Sequence, residues 1–141
     1  MSMIRRLLAK ARGKPSIRRF AFNGDDVIAD IYQKYGFDGD LLKIYGEGAE
    51  QLIHKWHHYL PLYDRYFQTW RGTSVRFLEI GVAEGGSMAM WRRYFGPEAV
   101  IFGIDINEAC RQYDGVDGQV RIGSQDDPSF LESVISEMGG C

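Results

Sequence analysis

Apolar positions along the chain form two near-continuous runs, set between stripes at helical spacing. The first run is Val75 to Val82, with Phe77, Leu78, Ile80 and Val82 as its apolar members and Glu79 inside it. The second is Ala99 to Ile106. Such runs fit strands covered on both faces, as in parallel sheets. A shorter strand is predicted at Gln119 to Gly123. Between the first two, Ser87 to Phe95 reads as a helix. Met88, Trp91, Tyr94 and Phe95 lie on its buried side, Arg92 and Arg93 point outward, and Gly96-Pro97 stops it. A short helix follows Asn107, and Asp114 to Gly118 forms a turn. Asp126-Asp127-Pro128 then caps a last helix through Phe130, Leu131, Val134 and Ile135.

The first half of the chain reads as helical. Ser2 to Arg12 is a short basic helix, and Asn23 to Gly36 a second one with Val27, Ile28, Ile31 and Tyr32 on its apolar face. Phe37 to Gly48 is either a loop or a short helix around Leu41, Leu42 and Ile44. A cluster of aromatic residues and histidines spans Ile53 to Tyr63. Helix resumes near Pro61 and runs to Trp70, with Leu62, Tyr66, Phe67 and Trp70 expected to face the core.

Alternating strands and helices make a doubly wound parallel α/β sheet of about three strands, preceded by helices. The expected organisation is a basic extension over 1–22, a helical cap region over 23–74, and a ligand-binding α/β unit over 75–141.

Composition narrows the class. A chain of 141 residues with 45% hydrophobic and 26% charged residues suits one soluble globular domain. No apolar run approaches a membrane span, and Lys10 and Arg12 interrupt the only apolar stretch near the N-terminus. Cys110 and Cys141 are read as free thiols in a reduced, cytoplasmic protein. Residues 1–19 carry seven basic side chains and no acidic one, which leaves −9 on the rest of a chain of net charge −2. So acidic a body argues against nucleic acid as its partner. The basic leader reads as a solvated extension, with contact to an anionic membrane surface or a nucleic acid as the alternative.

In a doubly wound sheet, ligands bind at the carboxyl ends of the strands. Three features converge there. Glu79 and Gly81 end the first strand, ahead of Gly85-Gly86. Asp105 ends the second strand, 24 positions after Gly81. Ser124-Gln125-Asp126 follows the third. A carboxylate at the second strand tip can accept both hydroxyls of a ribose. A dinucleotide loop would carry G-x-G-x-x-G. Here Val82-Ala83 replace its close-approach glycine, and Glu84 adds negative charge where phosphates would lie. A phosphate-free adenosine cofactor with a cationic amino-acid end fits better, which is S-adenosylmethionine.

The motifs Phe-Leu-Glu-Ile-Gly-Val-Ala-Glu-Gly-Gly-Ser at 77–87, Gly-Ile-Asp-Ile-Asn at 103–107 and Arg-Ile-Gly-Ser-Gln-Asp-Asp-Pro at 121–128 resemble the class I S-adenosylmethionine-dependent methyltransferases. More narrowly they resemble the O-methyltransferases of macrolide and tetracenomycin deoxysugars, and Lys-Trp-His-His-Tyr at 55–59 fits that group. The resemblance spans about residues 50 to 138 and implies a Rossmann-like fold. It implies that Glu79, Gly81 and Gly85 line the methionine end of the cofactor, that Asp105 holds the ribose, and that Gln125 and Asp126 flank the adenine. The acceptor implied is a hydroxyl of a sugar or polyketide-like small molecule, and self-association stays open. Relatives of this group carry, on a fourth strand, an acidic pair and a histidine that bind a divalent metal such as Mg and supply the base. The sequence here stops before such a strand, so no metal ligand and no catalytic residue is assigned. The expectation is the cofactor half of a methyltransferase, inactive alone. A non-catalytic assembly module completed by a partner is the alternative, and a dinucleotide-dependent oxidoreductase fragment is a third reading that the loop disfavours.

Plainer roles compete at several positions. Glu79 could be a structural carboxylate, and Asp105, Asp126 and Asp127 could cap helices. His57 and His58 read as a half-buried pair rather than metal ligands. Trp56, Tyr59, Trp91 and Phe95 read as core, and Cys110 as a small buried apolar residue.

Overall fold

The computed structural model describes residues 39–56 and 59–140. The basic leader, the Asn23 to Gly36 helix, His57, His58 and Cys141 lie outside them.

Three parallel strands form one sheet in the order β1-β2-β3: β1 (Arg76–Ile80), β2 (Val100–Asp105) and β3 (Gln119–Ile122). Leu78 pairs with Phe102 and Glu79 with Gly103, while Gly103 pairs in turn with Val120. Helix α3 (Gly86–Phe95) connects β1 to β2, a 3-10 segment (Glu108–Tyr113) connects β2 to β3, and α4 (Pro128–Glu137) follows β3. Ahead of the sheet stand α1 (Asp40–Glu47) and α2 (Leu60–Phe67), the latter running into a 3-10 turn at Gln68–Trp70. The ambiguous stretch before Gly48 is therefore helical over Asp40–Glu47.

The strands alternate between two cores, because successive side chains point to opposite faces. On one face Phe77 and Val120 pack against α1, α2 and α3, with Trp91 at the centre. The Trp91 ring lies 4.8 Å from that of Phe77 and 5.3 Å from that of Tyr63. Edge and tilted ring pairs of this kind contribute about 0.5–1.5 kcal/mol each beyond area burial. On the other face Leu78, Phe102 and Ile104 meet Val134 of α4 and Met138 at its carboxyl-terminal cap. Covering on both faces explains the near-continuous apolar runs of β1 and β2. The start of α4 is as its sequence predicts. Asp127 accepts from the N–H groups of Ser129 and Phe130, and Pro128 occupies the first turn.

Three expected placements are corrected. On α2 and its 3-10 extension, Leu62, Tyr66 and Trp70 are 49%, 64% and 52% exposed. Phe67 faces the core as expected, but with Leu60 and Tyr63 as its partners in the inward stripe, and the Tyr63 and Phe67 rings stack at 5.8 Å. So short a helix with apolar residues all round offers more than one stripe, and the aromatic face that reaches Trp91 wins. Arg92 does not point outward. Its guanidinium donates to the carbonyls of Gly96, Ala99 and Asp117, so it closes the carboxyl end of α3 and ties that end to the turn before β3. Trp56 and Tyr59 are exposed rather than core, whereas Trp91 and Phe95 are buried.

Candidate functional site

The carboxyl ends of the three strands open into a cleft of about 280 Å³, lined in part by Gly81, Asp105, Ile106, Ser124, Gln125 and Asp126. Its position is the one the doubly wound topology dictates. The strand tips are locked together. Gly81 N–H donates to the Ile104 carbonyl at 2.8 Å, and Gly123 N–H to that of Asp105 at 2.9 Å. Gly81 has φ +90°, and nothing lies within 4 Å of where its Cβ would stand. Glycine is needed there for the backbone turn, and the space beside it is open. A hollow of similar volume is lined by the end of α1 and the segment after it, from Gly46 to Ile53.

Asp105 does more than face this cleft. Its Oδ2 accepts the N–H groups of Val82 at 2.9 Å and Ala83 at 3.0 Å, and its Oδ1 that of Asn107 at 2.9 Å. The tip of β2 is thereby stapled to the loop after β1. Partial burial pushes the Asp105 carboxyl up, but the Ala83 and Asn107 N–H groups, the Cys110 thiol and the Val82 N–H outweigh it and hold the carboxyl below its ordinary range. Cys110 is buried, and its thiol donates to the Ala83 carbonyl at 3.3 Å. Burial, together with the neighbouring Asp105, raises its pKa.

Glu79 lies behind the cleft, on the face of β1 that packs on α3, and is 5% exposed. Its Oε1 takes Lys55 Nζ at 2.5 Å and Trp91 Nε1 at 3.4 Å. Its Oε2 is buried with no partner among the described residues. Gly85 also stands back from the cleft. At φ +78° it precedes α3, and a Cβ there would lie 2.8 Å from the Tyr113 ring.

Gly81, Asp105, Gln125 and Asp126 are thus brought together, with Glu79 and Gly85 at the edge of the constellation. The sequence pattern does not reveal Lys55, whose partner is 24 positions away, or Ile106, which is 77% exposed beside Asp105. An isoleucine directly after the acidic strand tip is the available signal for Ile106. No three His, Cys, Asp or Glu side chains group to hold a metal among the described residues, so those residues do not fit a divalent cation. No helix among them is long and apolar enough to cross a membrane.

A parallel sheet with helices on both faces, and a glycine loop leading from its first strand into a helix, is a partial Rossmann-like α/β fold. No family model matches the sequence. The chain is 38% identical over 72% of its length to the 8-demethyl-8-(2-methoxy-alpha-L-rhamnosyl)-tetracenomycin-C 3'-O-methyltransferase of Streptomyces olivaceus, covering 27% of that protein. It is 37% identical over 59% of its length to the mycinamicin VI 2''-O-methyltransferase of Micromonospora griseorubida, covering 22% of it. Among solved structures it matches the MycE methyltransferase from the mycinamycin biosynthetic pathway in complex with Mg, SAH and mycinamycin VI, with a TM-score of 0.56 and 31% identity. That match covers 72% of this chain and 25% of MycE. The resemblance to class I methyltransferases, and among them to the sugar O-methyltransferases of macrolides and tetracenomycins, is therefore carried by sequence and structure alike. The chain spans about a quarter of the length of these relatives.

Proposed function

We propose that this chain carries the S-adenosylmethionine-binding side of an O-methyltransferase whose whole protein methylates a hydroxyl of a sugar or polyketide-like small molecule. The observation that carries the reading is the cleft at the strand tips, where Gly81, Asp105, Gln125 and Asp126 converge in a chain similar to a methyltransferase solved with SAH. The residues present suit such a cofactor. The space over Gly81 admits close approach, and the buried Oε2 of Glu79 is an acceptor in want of a cation. Asp105, at the tip of β2, would hold the ribose hydroxyls. Ile106 offers an apolar edge to the adenine, with Gln125 and Asp126 at its polar rim. Gly85 starts α3 beside the methionine end. When bound, the cofactor supplies an electrophilic methyl group, and this chain's contribution is to bind and orient it.

Calorimetric titration with S-adenosylhomocysteine (SAH) tests the reading. Saturable one-site heat is expected, with no comparable heat from NAD, whose phosphates would meet Glu84 and find no close-approach glycine at Val82-Ala83. An absence of SAH binding at millimolar concentration would sink it.

One observation favours the alternative of an assembly module: the outer edge of β1 pairs with no strand among the described residues, and Ile80 there is exposed. Association of the chain in sedimentation, without SAH binding, would be its signature.

A further inference from the structure

We propose that Lys55 and Glu79 act as one recognition element for a zwitterion, Glu79 Oε2 receiving the ammonium and Lys55 Nζ the carboxylate of the cofactor's amino-acid end. The proposal rests on the cofactor reading above. Glu79 alone would explain recognition of a cation; Lys55 is the new assignment.

Lys55 belongs to the loop between α1 and α2, and that loop is fixed where it crosses the start of α3. A Cβ on Gly86 would stand 2.3 Å from the Leu52 carbonyl oxygen and 2.7 Å from that of Gln51, so the two backbones are in direct contact. Tyr45 Oη donates to the Lys55 carbonyl at 3.3 Å and anchors the residue itself. The Lys55 side chain keeps 17% exposure while its Nζ reaches Glu79.

The pairing is lopsided. Lys55 Nζ and Trp91 Nε1 both converge on Oε1, and Oε2 is left buried without a donor. A purely structural ion pair in a core survives when its remaining lone pairs are also satisfied. Here one acceptor is withheld, two residues before the glycine turn that floors the cleft. Lys55 has three N–H donors, and the bond to Glu79 uses one of them. Lysine and glutamate together carry no net charge, so the pair gains little from a free cation or a free anion. A group bearing both charges satisfies the two unmet capacities at once.

The test compares three probes by calorimetry on the 141-residue chain: SAH, its decarboxylated analogue, and 5′-methylthioadenosine, which lacks the amino-acid end. The decarboxylated analogue is expected to bind at least about tenfold more weakly than SAH, a factor equivalent to about 1.4 kcal/mol. Lys55→Met should bring SAH down to the level of that analogue and leave methylthioadenosine binding unchanged, while Lys55→Arg retains most of the SAH affinity. Equal affinity of the unmodified chain for SAH and the decarboxylated analogue overturns the proposal, and this comparison decides even where Lys55→Met does not fold. Equal weakening of SAH and methylthioadenosine by Lys55→Met overturns it too. If neither SAH nor methylthioadenosine binds the unmodified chain, the cofactor reading itself fails and takes this one with it.

Discussion

Asp105 Oδ2 accepts the backbone N–H of Ala83 at 3.0 Å, and Ala83, at φ +50°, is the one non-glycine residue with positive φ among those described. Cys110 grips the same residue from its other side, through the carbonyl. The loop thus adopts a glycine-like turn at a position held by alanine, and the tip of β2 keeps it there. Left-handed backbone costs an alanine roughly 1–2 kcal/mol. Ala83→Gly removes that strain but adds about 0.4–1 kcal/mol of unfolded-chain entropy. Stability unchanged, or higher by up to about 1 kcal/mol, is expected in urea unfolding. A clear loss of stability would mean that Ala83 is not strained.

Asp105 also sets a pH dependence. Its carboxyl is held below the ordinary range in the folded chain. The stability it contributes is therefore fully present above the unfolded value, about 3.9, and is lost as pH falls through the folded value. Asp105→Asn should cost about 1–3 kcal/mol at pH 7, because charge-assisted bonds to three N–H groups are weakened. Below pH 4 the gap between the two proteins should narrow. Urea midpoints at pH 7, 5 and 3 measure it, and a gap constant across that range would rule the carboxylate out as its source.

Two glycines of the same loop should respond differently. Gly86→Ala places a methyl against the Leu52 carbonyl, and an overpacked site of this kind costs about 1–3 kcal/mol or more. Gly81→Ala meets no protein atom, so its stability cost is the strain of φ +90°, about 1–2 kcal/mol, while its methyl enters the space that the cofactor would approach. Gly86→Ala should in addition displace the Lys55 loop and weaken SAH binding. Comparing denaturation midpoints with SAH affinity for both variants separates packing from backbone strain.

Trp91 and Trp70 offer a test of the packing. Trp91 is buried among Tyr63, Phe67, Phe77 and Phe95, so Trp91→Ala should cost about 3–5 kcal/mol. Trp70 is half exposed, and Trp70→Ala should stay within about 0.5 kcal/mol. Similar losses for the two in guanidinium unfolding would contradict the inward stripe of Leu60, Tyr63 and Phe67.

The strands, the last helix and its Asp127 cap are legible in the sequence because each is a local pattern: an apolar run, a helical stripe, an Asp-Pro start. Gly81, Asp105, Gln125 and Asp126 are legible as a group because parallel topology carries every strand tip to one edge. What stays hidden depends on contacts across the fold. Nothing in the short, aromatic α2 says which side Trp91 will claim. Nothing near Lys55 announces Glu79, because that pairing exists only once the loop before α2 lies over α3. Spacing presents Asp105 as a ligand group alone, since hydrogen bonds to the loop of another strand leave no trace in it.

The glycine loop is held by residues drawn from both directions along the chain: Leu52 before it, and Asp105, Cys110 and Tyr113 after it. These contacts come into register only when β1 and β2 have paired, so the loop is completed late in folding. Substitutions at Ala83 or Asp105 should therefore act mainly on the unfolding limb of a chevron plot and leave refolding rates nearly unchanged. Changes at Phe77 or Trp91, in the core that joins strand to helix, should slow refolding instead. That outcome would make the segment that receives the ligand the first to open and the last to close.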